Sequence, residues 1–216
     1  MNNKSINKNY MIRVVLKDLS NYFLNWIDMW YKNENSFLTA DNEFLELMYN
    51  LHKFNYLLWR EEDKARRTDL DDSEIVYIKR NGDRLNQQRN DGIEHVDEWL
   101  LSNLYGYLTD NDLPVRTETP GSVFDRLSVL ALKVYHMGEQ TKRMDVDEPH
   151  IIACREKLRI LLEQQRDLQM ALIDLFNDLD KSIIRMKVYR QFKMYNDPNL
   201  NPQLYKSKKN RKSIEE

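Results

Sequence analysis

The stretch His52–Arg67, HKFNYLLWREEDKARR, sets an Asn, a Trp, two Glu, an Asp and two Arg beside one apolar stripe. At a hundred degrees per residue, Phe44, Leu47, Leu51, Phe54, Leu58 and Ala65 share a face; Asn55, Glu62 and Arg66 sit on its edge, with His52, Trp59 and Asp63 just beyond. Downstream, Arg89 falls in the middle of the stripe Ile78, Gly82, Leu85, Val96, Leu100 and Tyr107, which Asp83, Asn86, Asn90 and Asp97 border. Arg126 and Lys133 edge a third stripe, Val123, Leu127, Leu130, Val134 and Met137. Gln165 stands in the centre of a fourth, running from Ile151 through Cys154, Leu161, Leu168, Leu172 and Phe176. Polar groups turned toward a core cost free energy until partnered, and an Arg in an apolar stripe needs a carboxylate or an anionic ligand. The expected ligand-binding set is therefore Asn55, Trp59, Glu62, Arg66, Asn86, Arg89, Asn90, Arg126 and Gln165. The competing reading is an Arg–carboxylate network that only fixes the register of a bundle.

Metal chemistry has a narrower basis. Glu94 and Asp97 in EHVD are carboxylates at i and i+3, a spacing that can hold magnesium. With Glu62 and Asp83 they form the candidate metal or general acid/base set, though no second pair stands at the fixed distance used by helical pyrophosphatases. No helix carries the paired Glu-x-x-His of ferritin-like sites, and there is no Gly-rich phosphate loop and no Gly-x-Ser-x-Gly. No cofactor is implied. His52 reads as structural, and His95 and His136 lie on the polar sides of their helices. The single Cys154 excludes an internal disulfide framework and a Cys-rich zinc site, and reads as a small buried hydrophobe.

The elements that must position these residues are helical. Five Gly and five Pro in 216 residues leave little for strands and turns, while good helix formers dominate. The pattern predicts helices from Tyr10 to Lys32, from an Asp41 cap to about Arg67, from Glu74 (capped by Asp72 or Ser73) to about Leu108, from a Thr119 cap with Pro120 at the first position to about Arg143, and from Pro149 to roughly Phe192. The fold expected is all-α: a single-domain bundle of about five helices, the last one long, over residues 10–205. Residues 1–9 are expected to be a disordered N-terminus and 206–216 a charged tail.

Charge and length bound the function. The net charge is −2 with 31% charged residues, and the basic run KSKKNRK reads as a solvated end, so no nucleic-acid partner is expected. The N-terminus lacks the apolar segment of a secretion signal and no apolar run is long enough to span a bilayer, which predicts no transmembrane segment and a cytoplasmic protein. The aromatic flank Tyr22, Phe23, Trp26 and Trp30 is too large to stand idle; it is expected to pack on the bundle or to form a homo-oligomer contact.

Four blocks in order, FNYLLWREEDKARR, IKRNGDRLNQQRNDGIEHVDEWL, ETPGSVFDRLSVLALKVYHMGEQT and VYRQFKMYNDPNLNPQLY, resemble a bacterial (Bacteroidetes-type) domain-of-unknown-function family, number 4254. The similarity runs from about Phe44 to Tyr205. It implies a setting, since genes of this kind often lie near glycosyltransferases of envelope polysaccharide synthesis; it carries no catalytic residues. Gly82 departs from the larger residue expected at its position. The function expected is an accessory or ligand-binding protein of envelope polysaccharide synthesis, taking a small anionic or sugar-like ligand or a glycosyltransferase partner. Two alternatives stand beside it: a metal-dependent enzyme acting on a phosphorylated sugar or nucleotide, and a structural scaffold or oligomerisation protein.

Overall fold

The computed structural model describes residues 3–38, 42–106 and 112–206, with side chains from residue 8 onward. Among them are five long α-helices and no strand: α1 (Asn3–Lys32), α2 (Glu43–Lys64), α3 (Asp72–Leu100), α4 (Pro120–Gln140) and α5 (Glu148–Asp180). The all-α expectation therefore holds. At 33 residues α5 is the longest, but α1 with 30 and α3 with 29 nearly match it, so length does not set the last helix apart.

Starts are set by side chains that satisfy the free amides of the first turn. Asn42 accepts from the Leu45 amide, Asp71 and Glu74 close a reciprocal capping box, Thr119 and Ser122 do the same ahead of Pro120, and Asp147 accepts from the His150 amide. Asp71, one residue earlier than expected, caps α3; Asp41, expected to cap α2, lies outside the described residues. Past Leu100 the chain widens into a π-helical turn, Leu101–Tyr105, and leaves it at Gly106, whose φ of 64° suits a residue without a β-carbon.

Two expectations about the ends are corrected. The segment expected to be disordered through Asn9 is helical from Asn3. It is held by tertiary contacts that composition does not display: Lys8 Nζ donates to Asn103 Oδ1 at 2.5 Å and Asn9 Nδ2 to Asp180 Oδ1 at 3.1 Å. The fifth helix stops at Asp180 rather than near Phe192. Ser182 turns left-handed (φ 54°), Ile184 plugs into the core, and the Arg185 amide donates to Pro114 O at 3.0 Å. The helix formers of KSIIRMKVYRQF lose to this docking. The chain then runs back along α3 as an irregular strap, where Arg190 pairs with Glu94 (2.9 Å) and Glu98, and Asn196 Nδ2 meets Gln87 Oε1 at 3.1 Å. The charged tail from residue 207 onward lies outside the described residues.

Helices α2 and α3 pack as one antiparallel pair and α4 and α5 as another, while α1 lies against α2 and α4. One hydrophobic cluster draws on all five helices. Phe23, Trp26 and Trp30 of α1 are buried within it, against Tyr49, His52 and Tyr56 of α2. The aromatic flank thus packs inside its own bundle, and those rings are not available for the oligomer contact considered for them. Helix α4 is central. From Pro120 to Val134 every residue is buried except Ser122, Arg126, Val129 and Lys133, which recur at helical spacing and mark its one outward line.

Candidate functional site

The polar residues of α2, α3 and α4 meet where α4 faces the α2–α3 pair. Arg89 of α3 reaches Asp125 of α4 with two parallel hydrogen bonds, Nε to Oδ1 at 2.7 Å and Nη2 to Oδ2. Asn55 of α2 donates its Nδ2 to the same Asp125 Oδ1 at 2.8 Å and to Ser128 Oγ at 2.9 Å. Ser128 Oγ lies 2.6 Å from His52 Nδ1, and His52 Nε2 lies 3.1 Å from the Phe23 carbonyl of α1. A carbonyl only accepts, so Nε2 carries the proton, Nδ1 accepts from Ser128, and the ring is neutral. Burial pushes the His52 pKa down to about 3, consistent with that assignment. This inner chain crosses four helices and gives both nitrogens of His52, the Ser128 hydroxyl and both oxygens of Asp125 a partner. It is a positioning device, and His52 is no acid or base at neutral pH.

Its outer end is different. The Arg89 side chain is 29% exposed where Asp125 is 5%. With Nε and Nη2 engaged from behind, the remaining edge of the guanidinium, Nη1, has no partner among the described residues. It stands where two grooves meet. One, of about 750 Å³ between α3, α4 and α5, is lined by Arg89, Arg126, Lys133, Gln164 and Asp167 among others. The second, of about 410 Å³ between α2, α3 and α4, includes Asn55, Trp59, Glu62, Asp63, Arg66 and Arg89. A third groove, also about 410 Å³, shares Trp59 with the second and Lys133 and Gln164 with the first, and adds His136, Lys157 and Leu161. The three form one trough along the outward line of α4.

Within the trough, charges divide into paired and free. Arg126 is held by Glu118 at 2.6 Å, and Glu62 by Arg66 at 2.9 Å and Lys79 at 3.4 Å; these pairs are exposed and worth little each. Lys133 and Lys157 make no hydrogen bond or ion pair among the described residues. Trp59 stacks on His136 with centroids 5.1 Å apart at 10°, giving a flat apolar platform beside those two lysines. The arrangement can hold an anion from Arg89, Arg126 and Lys133 and carry a ring on Trp59.

The structure thus brings together Asn55, Trp59, Glu62, Arg66, Arg89 and Arg126. It leaves out three expected residues. Asn86 and Asn90 line none of these grooves and make no side-chain hydrogen bond among the described residues; Gln165 is buried in the α4–α5 seam with its Nε2 unsatisfied. The carboxylates Glu62, Asp83, Glu94 and Asp97 do not converge. Glu94 is tied to Arg190, Asp83 is exposed, and Asp97 is buried, accepting the Gly121 amide at the start of α4 at 2.7 Å. Among the described residues no three His, Cys, Asp or Glu side chains are placed to share a metal ion. Cys154 is buried as expected, its Sγ 3.4 Å from His150 Nε2. Sequence reasoning missed Asp125 and Ser128, which lie off the apolar stripe assigned to α4, and did not select Lys133, His136 or Lys157.

A family model described as "Protein of unknown function (DUF4254)" matches residues 45–188. The chain belongs to this family. The matched region holds α3, α4, α5 and nearly all of α2, and with them every residue of the inner chain except the Phe23 carbonyl. Helix α1, which closes the core from outside the matched region, is not part of it. No curated protein and no solved structure matches the chain.

Proposed function

We propose that this member of the family is a binding protein for a small anionic, ring-bearing ligand of the phosphosugar or sugar-nucleotide class, seated in the trough on α4. The observation that carries the reading is Arg89: a guanidinium locked from behind by Asp125, with its free edge turned into an open groove beside the unpartnered Lys133. Holding a cation in place before the ligand arrives lowers the ordering cost of binding, and a planar fork suits phosphate or carboxylate. Trp59 and His136 supply the stacking surface for the ring. Binding rather than catalysis is the reading we favour: His52 faces inward and is neutral, and Asp125, the buried carboxylate at the trough, is already engaged by Arg89 and Asn55. Among the described residues the metal-dependent enzyme reading has no group of three or more His, Cys, Asp or Glu side chains placed to hold a metal ion.

The setting we attach to this binding is accessory work in envelope polysaccharide synthesis, in the cytoplasm and beside a glycosyltransferase; it rests on the gene surroundings that the family resemblance implies. No helix among the described residues is long and apolar enough to cross a membrane. A scaffold role is the second reading, favoured by the closure of the inner chain from Arg89 to Phe23.

The test is a set of thermal melts of the full chain with UDP-glucose, glucose 6-phosphate and glucose. UDP-glucose at a hundred times its dissociation constant adds about 2.7 kcal/mol to the native state. Lys133→Gln, at an exposed and unpaired position, abolishes the shift without lowering the unliganded melting temperature. No shift with either anion at millimolar concentration, or a shift that survives Lys133→Gln together with Trp59→Leu, sinks the proposal and leaves the scaffold.

A further inference from the structure

The C-terminal strap, residues 181–206, is unlike the rest of the chain in two respects. It carries six Lys and Arg against one Asp, whereas residues 1–180 carry twenty-three against thirty-two acidic residues. It also exposes apolar side chains at a density no helix approaches: Tyr189 is 52% exposed, Phe192 80%, Met194 58% and Tyr195 61%, with Leu200 and Leu204 following. Phe192 is held in the left-handed region (φ 41°), which is costly for a bulky side chain, yet its ring is turned to solvent rather than into the core. Neither backbone comfort nor burial accounts for it. Of the cations, Arg190 is spent on Glu94 and Glu98, while Lys181, Lys187, Lys193 and Lys206 have no partner among the described residues.

We infer that the strap is a peripheral contact for an anionic lipid surface. Aromatic rings and Met or Leu interleaved with free lysines match the boundary between headgroups and acyl chains, where the apolar parts enter and the ammonium groups stay at the phosphates. A single-stranded nucleic acid would use the lysines and the rings, but gives no use to the exposed Met194, Leu200 and Leu204. The acidic body of residues 1–180 is repelled by such a surface, so contact falls to the basic C-terminal side of the molecule, where the strap lies. The strap is fastened to α3 and to the 113–114 backbone, which presents it as a fixed patch rather than a loose arm. This inference is independent of the ligand trough on α4.

The experiment is co-sedimentation of the full chain with vesicles of phosphatidylglycerol and phosphatidylcholine, against phosphatidylcholine alone. The protein pellets with the anionic vesicles only, and the binding disappears at about 1 M salt, where charges are screened beyond about 3 Å. Two independent variants test the surface. Lys187→Gln with Lys193→Gln lowers partitioning by about 25-fold, near fivefold for each lysine. Phe192→Asn with Tyr195→Ser removes the rings while Asn tolerates the left-handed backbone, and weakens binding at unchanged charge. Four results overturn the inference: no pelleting with anionic vesicles; pelleting unaffected by both variants; strap-dependent binding of poly-uridylate in place of vesicles; or strap-dependent dimerisation with no vesicle binding.

Discussion

Arg89 and Asp125 form a two-point ion pair in which the acid, not the base, is the deeply buried partner: the Asp125 side chain is 5% exposed and that of Arg89 29%. Breaking the pair from the two ends therefore has different consequences. Arg89→Met leaves a buried carboxylate with, among the described residues, only the Asn55 side chain to donate to it, and costs about 3 kcal/mol. Arg89→Met with Asp125→Leu removes both charges and recovers most of that loss. Urea unfolding midpoints of the two variants measure the difference. If Arg89→Met instead unfolds no earlier than wild type, Asp125 is not its permanent partner and the cation is waiting for a ligand.

Two buried groups give stability opposite dependences on pH. The folded-state pKa of His52, about 3, lies below the ordinary 6.5, so its contribution is fully present above 6.5 and is lost as pH falls toward 3. Burial raises Asp97 to about 7, against the pull of the Thr119 hydroxyl and the Gly121 amide. Its contribution is fully present below 3.8 and is lost as pH rises toward 7. Between 3.8 and 6.5 the two slopes oppose. Asp97→Asn, which keeps an oxygen for the Gly121 amide, leaves the His52 slope alone, and stability then drops by up to about 1.4 kcal/mol per pH unit on acidification. Denaturant titrations across that range decide it; an unchanged profile in Asp97→Asn refutes the assignment.

How far the sequence reached can be read from α4 itself. Its start was legible because Thr119 before Pro120 is a local signal, and the reciprocal contact of Thr119 and Ser122 bears that out. Asp125 was not legible. Reading one apolar stripe per helix assumes one buried face, whereas α4 is packed on by α1, α2, α3 and α5 and also buries Phe124, Asp125, Ser128 and Leu132, which lie away from the stripe of Val123, Leu127, Leu130 and Val134. Arg89 announced that it needed a carboxylate, but Glu62, Asp83 and Asp97 were the acids visible on or beside a stripe. The end of α5 was missed for a related reason: Ile184 and Arg185 stop the helix through contacts with residues some seventy positions away, which no local propensity encodes.

Close approach rather than turn geometry fixes one glycine. A β-carbon at Gly121 would stand 2.5 Å from the Ile93 carbonyl and 2.8 Å from Asp97 Oδ1, so Gly121→Ala forces α3 and α4 apart and costs about 3 kcal/mol. The same substitution at Gly138, in the last turns of the same helix with open space around it, stabilises by up to about 1 kcal/mol. Opposite signs in calorimetric melting temperatures are the outcome expected. Equal signs would mean that the α3–α4 seam is looser than these distances imply.

Gln165 separates packing from binding. Its sequence position suggested a ligand contact, yet it is 6% exposed in the α4–α5 seam and its Nε2 has no acceptor. A buried donor left unmade costs about 1–3 kcal/mol, and a thioether of similar shape carries no such donor. Gln165→Met therefore raises stability by about 1 kcal/mol, with little change in volume to offset the gain. Because Gln165 lines none of the three grooves, the shift that UDP-glucose gives the wild-type melt is unchanged in the variant. Neighbouring Gln164, which does line two of them, is the contrast: Gln164→Met leaves stability nearly unaltered and reduces the ligand shift. The paired melts, each with and without UDP-glucose, give a four-way comparison. If Gln165→Met destabilises the protein and also loses the ligand shift, the seam is part of the binding site and the trough as drawn is incomplete.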